Sequence, residues 1–215
     1  MHFDIKLEGV DKALAMLDPR NVVNAATRAI NDVAEQGMTG AKKGITGEYN
    51  IKYSRLSQYL RLTTRASAKE VAVGESKPEA VITGRGRGLS LSYFDAKQEG
   101  QSTRTLRIGK EKFKSVIRKT GRRYGGKVTA LVRKVGGRKE VVTDPGSFIA
   151  QTKSGHIAVF QRTGKTRLPL KELLGPGVGG LFGSKKIMDN TKRIINEKFK
   201  PRFEYWISYY LSRNK

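Results

Sequence analysis

Residues 147–182 read SFIAQTKSGHIAVFQRTGKTRLPLKELLGPGVGGLF, and apolar runs alternate with turn-forming residues more densely here than elsewhere in the chain. Two short apolar runs, 148–150 and 157–160, flank Ser154-Gly155, a dipeptide of the kind that joins antiparallel strands. A third apolar segment follows Pro169 and is stopped by a Gly-Pro-Gly tripeptide. The stretch therefore predicts a β-hairpin followed by a glycine-rich elbow.

Two long helices are predicted, one on each side of this stretch. From Arg20 to about Lys43 the apolar residues recur at the three- and four-residue intervals of an amphipathic helix. A second helix is expected from Ser184 to about Arg213. Because a proline removes a backbone donor and clashes with the preceding turn, we expect Pro201 to kink or interrupt that helix near Phe199.

The remaining pattern predicts short elements and an α+β fold. These elements are a strand at 3–7 ended by Gly9, a helix at 10–17, a helix capped by Ser54, a hairpin of strands 70–73 and 80–83, a strand at 89–94, and strands 127–132 and 139–143 joined at Gly136-Gly137. The order of these elements along the chain is a strand, helices, a run of strands and a final helix. This order indicates N-terminal helices and a long C-terminal helix packed on one mostly antiparallel sheet. We expect residues 1–215 to form a single α+β domain.

The composition limits the classes of protein and partner. Lys and Arg number 43 against 19 Asp and Glu, which gives a net charge of +24 and favours an anionic partner such as nucleic acid, an acidic protein surface or lipid head groups. The chain has no cysteine, which excludes disulfides, thiolate zinc sites and cysteine nucleophiles. We expect no secretory signal, and no apolar run approaches the ~18 residues of a membrane-spanning helix.

The positive charge is concentrated between Gly100 and Gly126. Residues 104–123 contain nine basic side chains and one acid, Glu111. With so few apolar residues, we expect an extended or mobile basic arm inserted in the domain. Such an arm can contact DNA phosphates without sequence readout, or an acidic partner, and the same role is predicted for the arginines of the GRGRG run at 84–88. The predicted contact residues are Arg85, Arg87, Arg104, Arg107, Lys110, Lys112, Lys114, Arg118, Lys119, Arg122 and Arg123.

No catalytic, cofactor or metal site is predicted. His2 and His156 are the only histidines, and we expect His156 to be a turn residue bonded to backbone rather than a general base. No nucleophile elbow or paired-ligand spacing is present, and the acids are scattered where a magnesium nuclease would need them clustered. The sequence therefore favours a protein that is not an enzyme, with a nuclease as the weakest alternative.

The ordered motifs of the chain resemble the phage minor tail protein Z family, loosely over 1–83 and well over 127–182. The N-terminal AATRAIN at 25–31 is similar to the A-x-x-R-A-[IL]-N helix of that family. The C-terminal signature is carried by Phe148-Ile149-Ala150, Gly155-His156, Val159-Phe160-x-Arg162 and Leu168-Pro169-Leu170-x-Glu172-Leu173-x-Gly175-Pro176-x-Val178.

The chain departs from the family pattern in two regions. A serine is usual where Gly177 stands, and Gly179-Gly180 replaces a Val-Pro-like continuation, so we expect a more flexible elbow. The basic segment 100–126 looks like an enlargement of a shorter loop. Because the charge lies outside the elbow, assembly and DNA contact are assigned to separate segments.

The resemblance implies a structural virion protein of the phage neck or tail, with no cofactor and no catalysis. Copies would form a ring, which we expect to be hexameric, that completes the tail, joins it to the head and passes DNA through its channel. The implied partners are other copies, the tail terminator, the tail tube, head-completion or adaptor proteins, and DNA bound non-specifically. The protein would be made in the host bacterial cytoplasm and reside in the virion, with no membrane partner. The alternative is a non-specific nucleic-acid-binding protein that uses the basic arm.

Contacts between copies are expected at the elbow and at the C-terminal helix. Trp206 and Tyr210, one helical turn apart, are assigned to the core of the chain, whereas Tyr205 and Tyr209 lie on an adjacent face. The predicted subunit interface consists of Leu168, Pro169, Leu170, Leu173, Gly175, Pro176, Val178, Tyr205 and Tyr209.

Overall fold

The computed structural model describes most of the chain and divides it into two compact units. The described residues are 19–72, 78–98, 103–108, 111–116, 127–141, 146–164, 166 and 168–213. The first unit combines Met1–Gly44, Leu56–Arg85 and Gly179–Lys215, and the second combines Ile45–Arg55 and Gly86–Val178. The strand predicted at 3–7, the helix predicted at 10–17 and His2 lie outside the described residues. That 1–215 form a single domain stays a prediction.

The helices confirm the two long elements expected from the sequence. They are α1 (Pro19–Glu48), α2 (Tyr53–Tyr59), α3 (Ala68–Ala72), α4 (Val178–Phe182) and α5 (Lys185–Arg213), with a 3₁₀ turn at Leu91–Phe94. Of the kink or interruption predicted near Phe199, the interruption is wrong, because α5 continues through Pro201, and the kink stays a prediction. Among the described helices, none combines the length and the apolar character that crossing a bilayer requires.

The strands form several small sheets rather than one. They are β1 (Leu60–Thr64), β2 (Val81–Gly84), β3 (Gly88–Ser90), β4 (Lys97–Gln98), β5 (Thr103–Ile108), β6 (Glu111–Val116), β7 (Val128–Ala130), β8 (Lys139–Glu140), β9 (Ser147–Gln151), β10 (Ile157–Arg162), β11 (Leu170–Glu172) and β12 (Leu174–Gly177). In the described part of the chain the sheets are β1-β2, β3-β12, β5-β6, β4-β7-β8 and β9-β10-β11. Every described strand pair is antiparallel, so the α+β class is confirmed while the single sheet is not.

Two of the short strands predicted from the sequence are wrong. The predicted strand at 70–73 begins as the end of α3, and β2 pairs with β1 instead. The side-chain amide of Asn31 holds the chain just before α3, donating to Ala66 O at 3.0 Å and accepting from Ala66 N at 2.9 Å. The strand predicted at 89–94 ends at Ser90, and buried Leu91 and Phe94 turn inward on the 3₁₀ turn.

The first unit depends on a close approach of α1 and α5. Three glycines of α1 face isoleucines of α5, and the pairs are Gly37 with Ile195, Gly40 with Ile194 and Gly44 with Ile187. A Cβ at Gly37 would lie 2.9 Å from Ile195 Cγ1, and one at Gly44 would lie 3.0 Å from Ile187 Cδ1. The glycines therefore let the isoleucine side chains occupy space that any other residue would fill.

The second unit contains the hairpin predicted from residues 147–162. Strands β9 and β10 pair in register, with Phe148 opposite Phe160 and Ala150 opposite Ala158. These four side chains form an apolar cluster against which Leu170 of β11 packs. Gly155, with φ of 85°, supplies the positive dihedral that the turn between the strands requires. The hairpin and its turn are confirmed.

We expect Gly37→Ala to destabilise the protein relative to Gly47→Ala, a control on the same helix. A Cβ at Gly47 would meet no atom within 4 Å, so that variant shows the helix-propensity gain of up to about 1 kcal/mol with no packing cost. In Gly37→Ala the buried Ile195 must shift, and overpacking of this kind costs about 1–3 kcal/mol. Urea unfolding measures both variants, and equal free energies of unfolding would contradict the close approach.

Candidate functional site

The glycine-rich elbow is held by backbone contacts with the GRGRG run in the second unit. Strand β12 pairs with β3, with Gly177 opposite Gly88. A Cβ at Gly177 would lie 2.6 Å from the carbonyl oxygen of Arg87 and 2.7 Å from that of Gly86. The serine that is usual at this position would therefore not fit against the backbone as it lies here. The elbow is closely packed at Gly177.

In the first unit, backbone hydrogen bonds hold the residues near these two strands, Arg85 before β3 and Gly179 after β12. Gly179 N donates to Arg85 O at 3.1 Å, and Arg85 N donates to Tyr59 O at 3.0 Å. Arg85 and Arg87 are exposed, as predicted for residues that contact an anion. Gly179 and Gly180, expected to loosen the elbow, belong to α4. The structure thus brings the cationic run beside the elbow, although the sequence assigned them to separate roles.

The predicted interface residues around the elbow differ in exposure. Leu168 is 64% exposed and Pro169 is exposed, with Thr163 Oγ1 donating to Pro169 O at 3.1 Å. Leu170, Leu173, Gly175 and Pro176 are half-buried. Val178 is fully buried, so its side chain belongs to the core and cannot contact another copy, which corrects its assignment to the interface.

One exposed residue beside the elbow was missed by the sequence analysis. Leu174 on β12 is 55% exposed, although the pattern of the Leu170–Leu174 segment gave no reason to separate it from its half-buried Leu neighbours. Its exposure follows from pairing with β3 at Ser90, which fixes the face of the strand on which Leu174 lies. Leu174 joins Leu168 as a large apolar side chain available for contact.

The C-terminal aromatic residues divide between two faces of α5. The indole Nε1 of Trp206 donates to Asp32 Oδ2 on α1 at 2.9 Å. The Arg28 guanidinium lies 4.7 Å from the Trp206 ring centroid and 5.6 Å from that of Tyr210. Trp206 and Tyr210 therefore pack within the first unit, as predicted.

The other face of α5 is a shallow depression open to solvent. Tyr205 is 57% exposed and Tyr209 is half-buried. The lining residues recur at helical spacing and are Pro201, Glu204, Tyr205, Ser208, Tyr209 and Ser212. Leu211, 42% exposed, is a further apolar residue of this helix that the sequence analysis did not select.

The described part of the basic segment, expected to be an extended or mobile arm, is a β-hairpin of two extended strands. Strands β5 and β6 pair with Leu106 opposite Phe113 and Arg107 opposite Lys112. Two of the four apolar residues on these strands are thus paired at one register position, which their spacing along the sequence did not reveal. Strand β6 lies beside β4 and β9. Of the predicted contact residues, those outside the described part are Lys110, Arg118, Lys119, Arg122 and Arg123, and those on the strands are Arg104, Arg107, Lys112 and Lys114.

His156 is paired with a carboxylate across the sheet. Its Nε2 lies 3.1 Å from Glu172 Oε1 on β11, so the expectation that the side chain bonds to backbone is wrong. The hydrogen bond to backbone is made instead by the main-chain carbonyl oxygen of His156, which accepts from Thr152 N at 2.8 Å. Among the residues that the structure describes, no group of three or more His, Asp or Glu side chains could hold a metal ion.

We expect Gly177→Ala to destabilise the protein by about 1–3 kcal/mol, the usual cost of overpacking. The new Cβ would press on the carbonyl oxygens of Gly86 and Arg87, and backbone cannot move aside as a flexible side chain can. Gly180→Ala is the matched control, because a Cβ there would meet no atom within 4 Å. Thermal unfolding measures both variants. Equal melting temperatures would show that the elbow does not need glycine at 177.

Comparison with known proteins identifies the family. Residues 7–214 match the family model described as Prophage minor tail protein Z (GPZ). A search of curated proteins gives no match, and neither does a search of solved structures. Because the match spans nearly the whole chain, the protein belongs to this family, and the resemblance found in its sequence is confirmed. It is a structural protein of the phage tail.

Proposed function

We propose that this member of the minor tail protein Z family assembles with copies of itself into a hexameric ring that completes the tail and joins it to the head. The channel of the ring passes the phage DNA. The other partners are the tail terminator, the tail tube and a head-completion or adaptor protein. The protein is made in the host bacterial cytoplasm and acts without catalysis or cofactor. Its family supplies the tail location, and the remaining steps are inferred below.

The observation that carries the proposal is the set of large apolar side chains exposed where contacts between copies were predicted. In the second unit these are Leu168 and Leu174 at the elbow, and in the first unit Tyr205 and Leu211 on α5. Apolar and aromatic side chains of this kind form the buried core of protein–protein interfaces. A head-to-tail contact, in which one surface binds a different surface of the next copy, closes into a ring.

The absence of catalysis is supported by the groups that the site does contain. His156, the candidate base, is paired with Glu172 across 3.1 Å. The remaining acids that the structure describes gather into no metal-binding group. The arrangement therefore supports a role in binding and assembly.

The alternative, a non-specific nucleic-acid-binding protein, is favoured by the β5–β6 hairpin. Its register brings Arg107 opposite Lys112, and neither strand carries an acid besides Glu111. The triple variant Arg107→Gln/Lys112→Gln/Lys114→Gln separates the two hypotheses. Loss of salt-sensitive DNA affinity with assembly intact favours the alternative, whereas loss of assembly with DNA affinity intact favours the ring.

We expect Leu168→Asn and Tyr205→Asn each to weaken self-association without lowering the melting temperature. Burial of an exposed Leu or aromatic side chain contributes about 1.5–3 kcal/mol, so each variant should raise the dissociation constant for assembly tenfold or more. Native mass spectrometry of the purified protein, alone and with the neighbouring tail proteins, gives the number of copies.

Val135→Asn is the control for this experiment. Val135 is 86% exposed, more than Leu168, but lies outside the predicted interface. An equal loss of assembly in the control would show that general surface hydrophobicity drives association. A wild-type protein that stays monomeric with every tail protein present would contradict the ring.

A further inference from the structure

We propose that residues 131–139, which are the connection between β7 and β8 and the first residue of β8, bind the phosphate backbone of duplex DNA. This segment, called the β7–β8 turn below, carries Arg133, Lys134, Arg138 and Lys139. It lies outside the basic segment that the sequence analysis selected. The inference rests on the proposed function, in which DNA passes the assembled protein, and assigns a contact site to it.

The β7–β8 turn is held in place by backbone contacts within the second unit. Asn50 N donates to Val132 O at 3.0 Å, and Lys134 N donates to Glu48 O at 2.9 Å. Tyr49 and Arg133 form an antiparallel bridge between these two bonds. The cations therefore start from a fixed backbone, and binding a ligand requires less loss of conformational entropy than it would on a free loop.

Asp95 and Glu140, two acids of the region around the β4–β7–β8 sheet, are paired with cations. Arg138 pairs with the Asp95 carboxylate, and Lys97 lies 3.7 Å from the same group. Lys127 lies 3.3 Å from Glu140 Oε2. These pairs neutralise the two acids and leave further cations on the turn in excess.

Lys134 and Lys139 supply that excess. Both are exposed, and within the described part of the chain neither forms an ion pair. Arg133 is also exposed, with its guanidinium 5.5 Å from the Tyr49 ring centroid. Three cations thus extend from one short, anchored connection, which is the arrangement that an anionic ligand would stabilise.

The side chains present favour DNA over an acidic protein surface. Interfaces between proteins are depleted in lysine and enriched in aromatic residues at their core, and the exposed part of the β7–β8 turn has lysines and a single large apolar side chain, Val135. Phosphate contact needs only cations on the surface. Strand β4, which pairs with β7, lies beside β6, whose sequence adds Lys112 and Lys114 to the same region.

The test is the binding of duplex DNA by the double variant Lys134→Gln/Lys139→Gln. The probe is a labelled duplex of about 30 base pairs and arbitrary sequence, titrated by fluorescence anisotropy across a range of salt concentrations; each phosphate contact contributes about 0.9 to the slope of log affinity against log salt. We expect the variant to lower that slope by about 2 and to weaken binding equally for different sequences. Thermal unfolding confirms that the variant is folded.

The control is Lys153→Gln/Lys192→Gln, which removes the same charge from exposed lysines elsewhere. We expect its slope to equal that of the wild type. An unchanged slope in the test variant, an equal loss in the control, or no binding by the wild type would overturn the proposal. Competition by polyglutamate as strong as that by unlabelled duplex would also overturn it, in favour of an acidic protein partner.

A second measurement covers the case in which the double variant does not fold. Acetylation of the wild-type lysines, read by mass spectrometry, should be reduced by DNA at Lys134 and Lys139 and not at Lys153. Equal acetylation with and without DNA would overturn the site. The number of copies in the assembly is measured on the same wild-type sample. A protein that binds DNA through the β7–β8 turn but forms no ring would contradict only the proposed function.

Discussion

Close backbone approach at glycine is the constraint on which the described structure depends. In the first unit, Gly37 and Gly44 of α1 leave room for isoleucines of α5. In the second unit, Gly177 lies against the carbonyl oxygens of Gly86 and Arg87, where no side chain fits. Each contact joins segments far apart in sequence, and each unit is assembled from separated pieces of chain. Glycine therefore acts here through the space it leaves free, more than through its flexibility.

The close approach at glycine also explains why apolar side chains are exposed on a fixed backbone at the elbow and on α5. The elbow can expose Leu174 because its pairing fixes the backbone of β12 against β3, and Leu168 is exposed just before β11. In the same way α5 packs one face on α1 and leaves Tyr205 on the other. Exposed apolar side chains on a rigid backbone lose little entropy when another copy covers them. Cationic residues occur beside the elbow and on the β7–β8 turn, so the same unit carries both apolar and charged surfaces.

The sequence predicted the elements whose signal is local. Helical periodicity located α1 and α5, and the turn at Gly155 located the β9–β10 hairpin. It failed where a distant contact decides the outcome. Asn31 fixes the chain before α3, where a strand was expected, and the pairing of β5 with β6 gives a hairpin in a segment expected to be an extended or mobile arm. For the candidate site, the exposed arginines at 85 and 87 were predicted, but the burial of Val178 and the exposure of Leu174 depend on tertiary packing.

We propose that the chain is an assembled component at the head-proximal end of the tail. This proposal is tested most directly by electron microscopy of phage particles labelled with a gold-conjugated antibody against this protein. We expect one compact cluster of label on each particle, at the junction between tail and head. Particles without label, or label spread along the tail tube or confined to its distal tip, would contradict it.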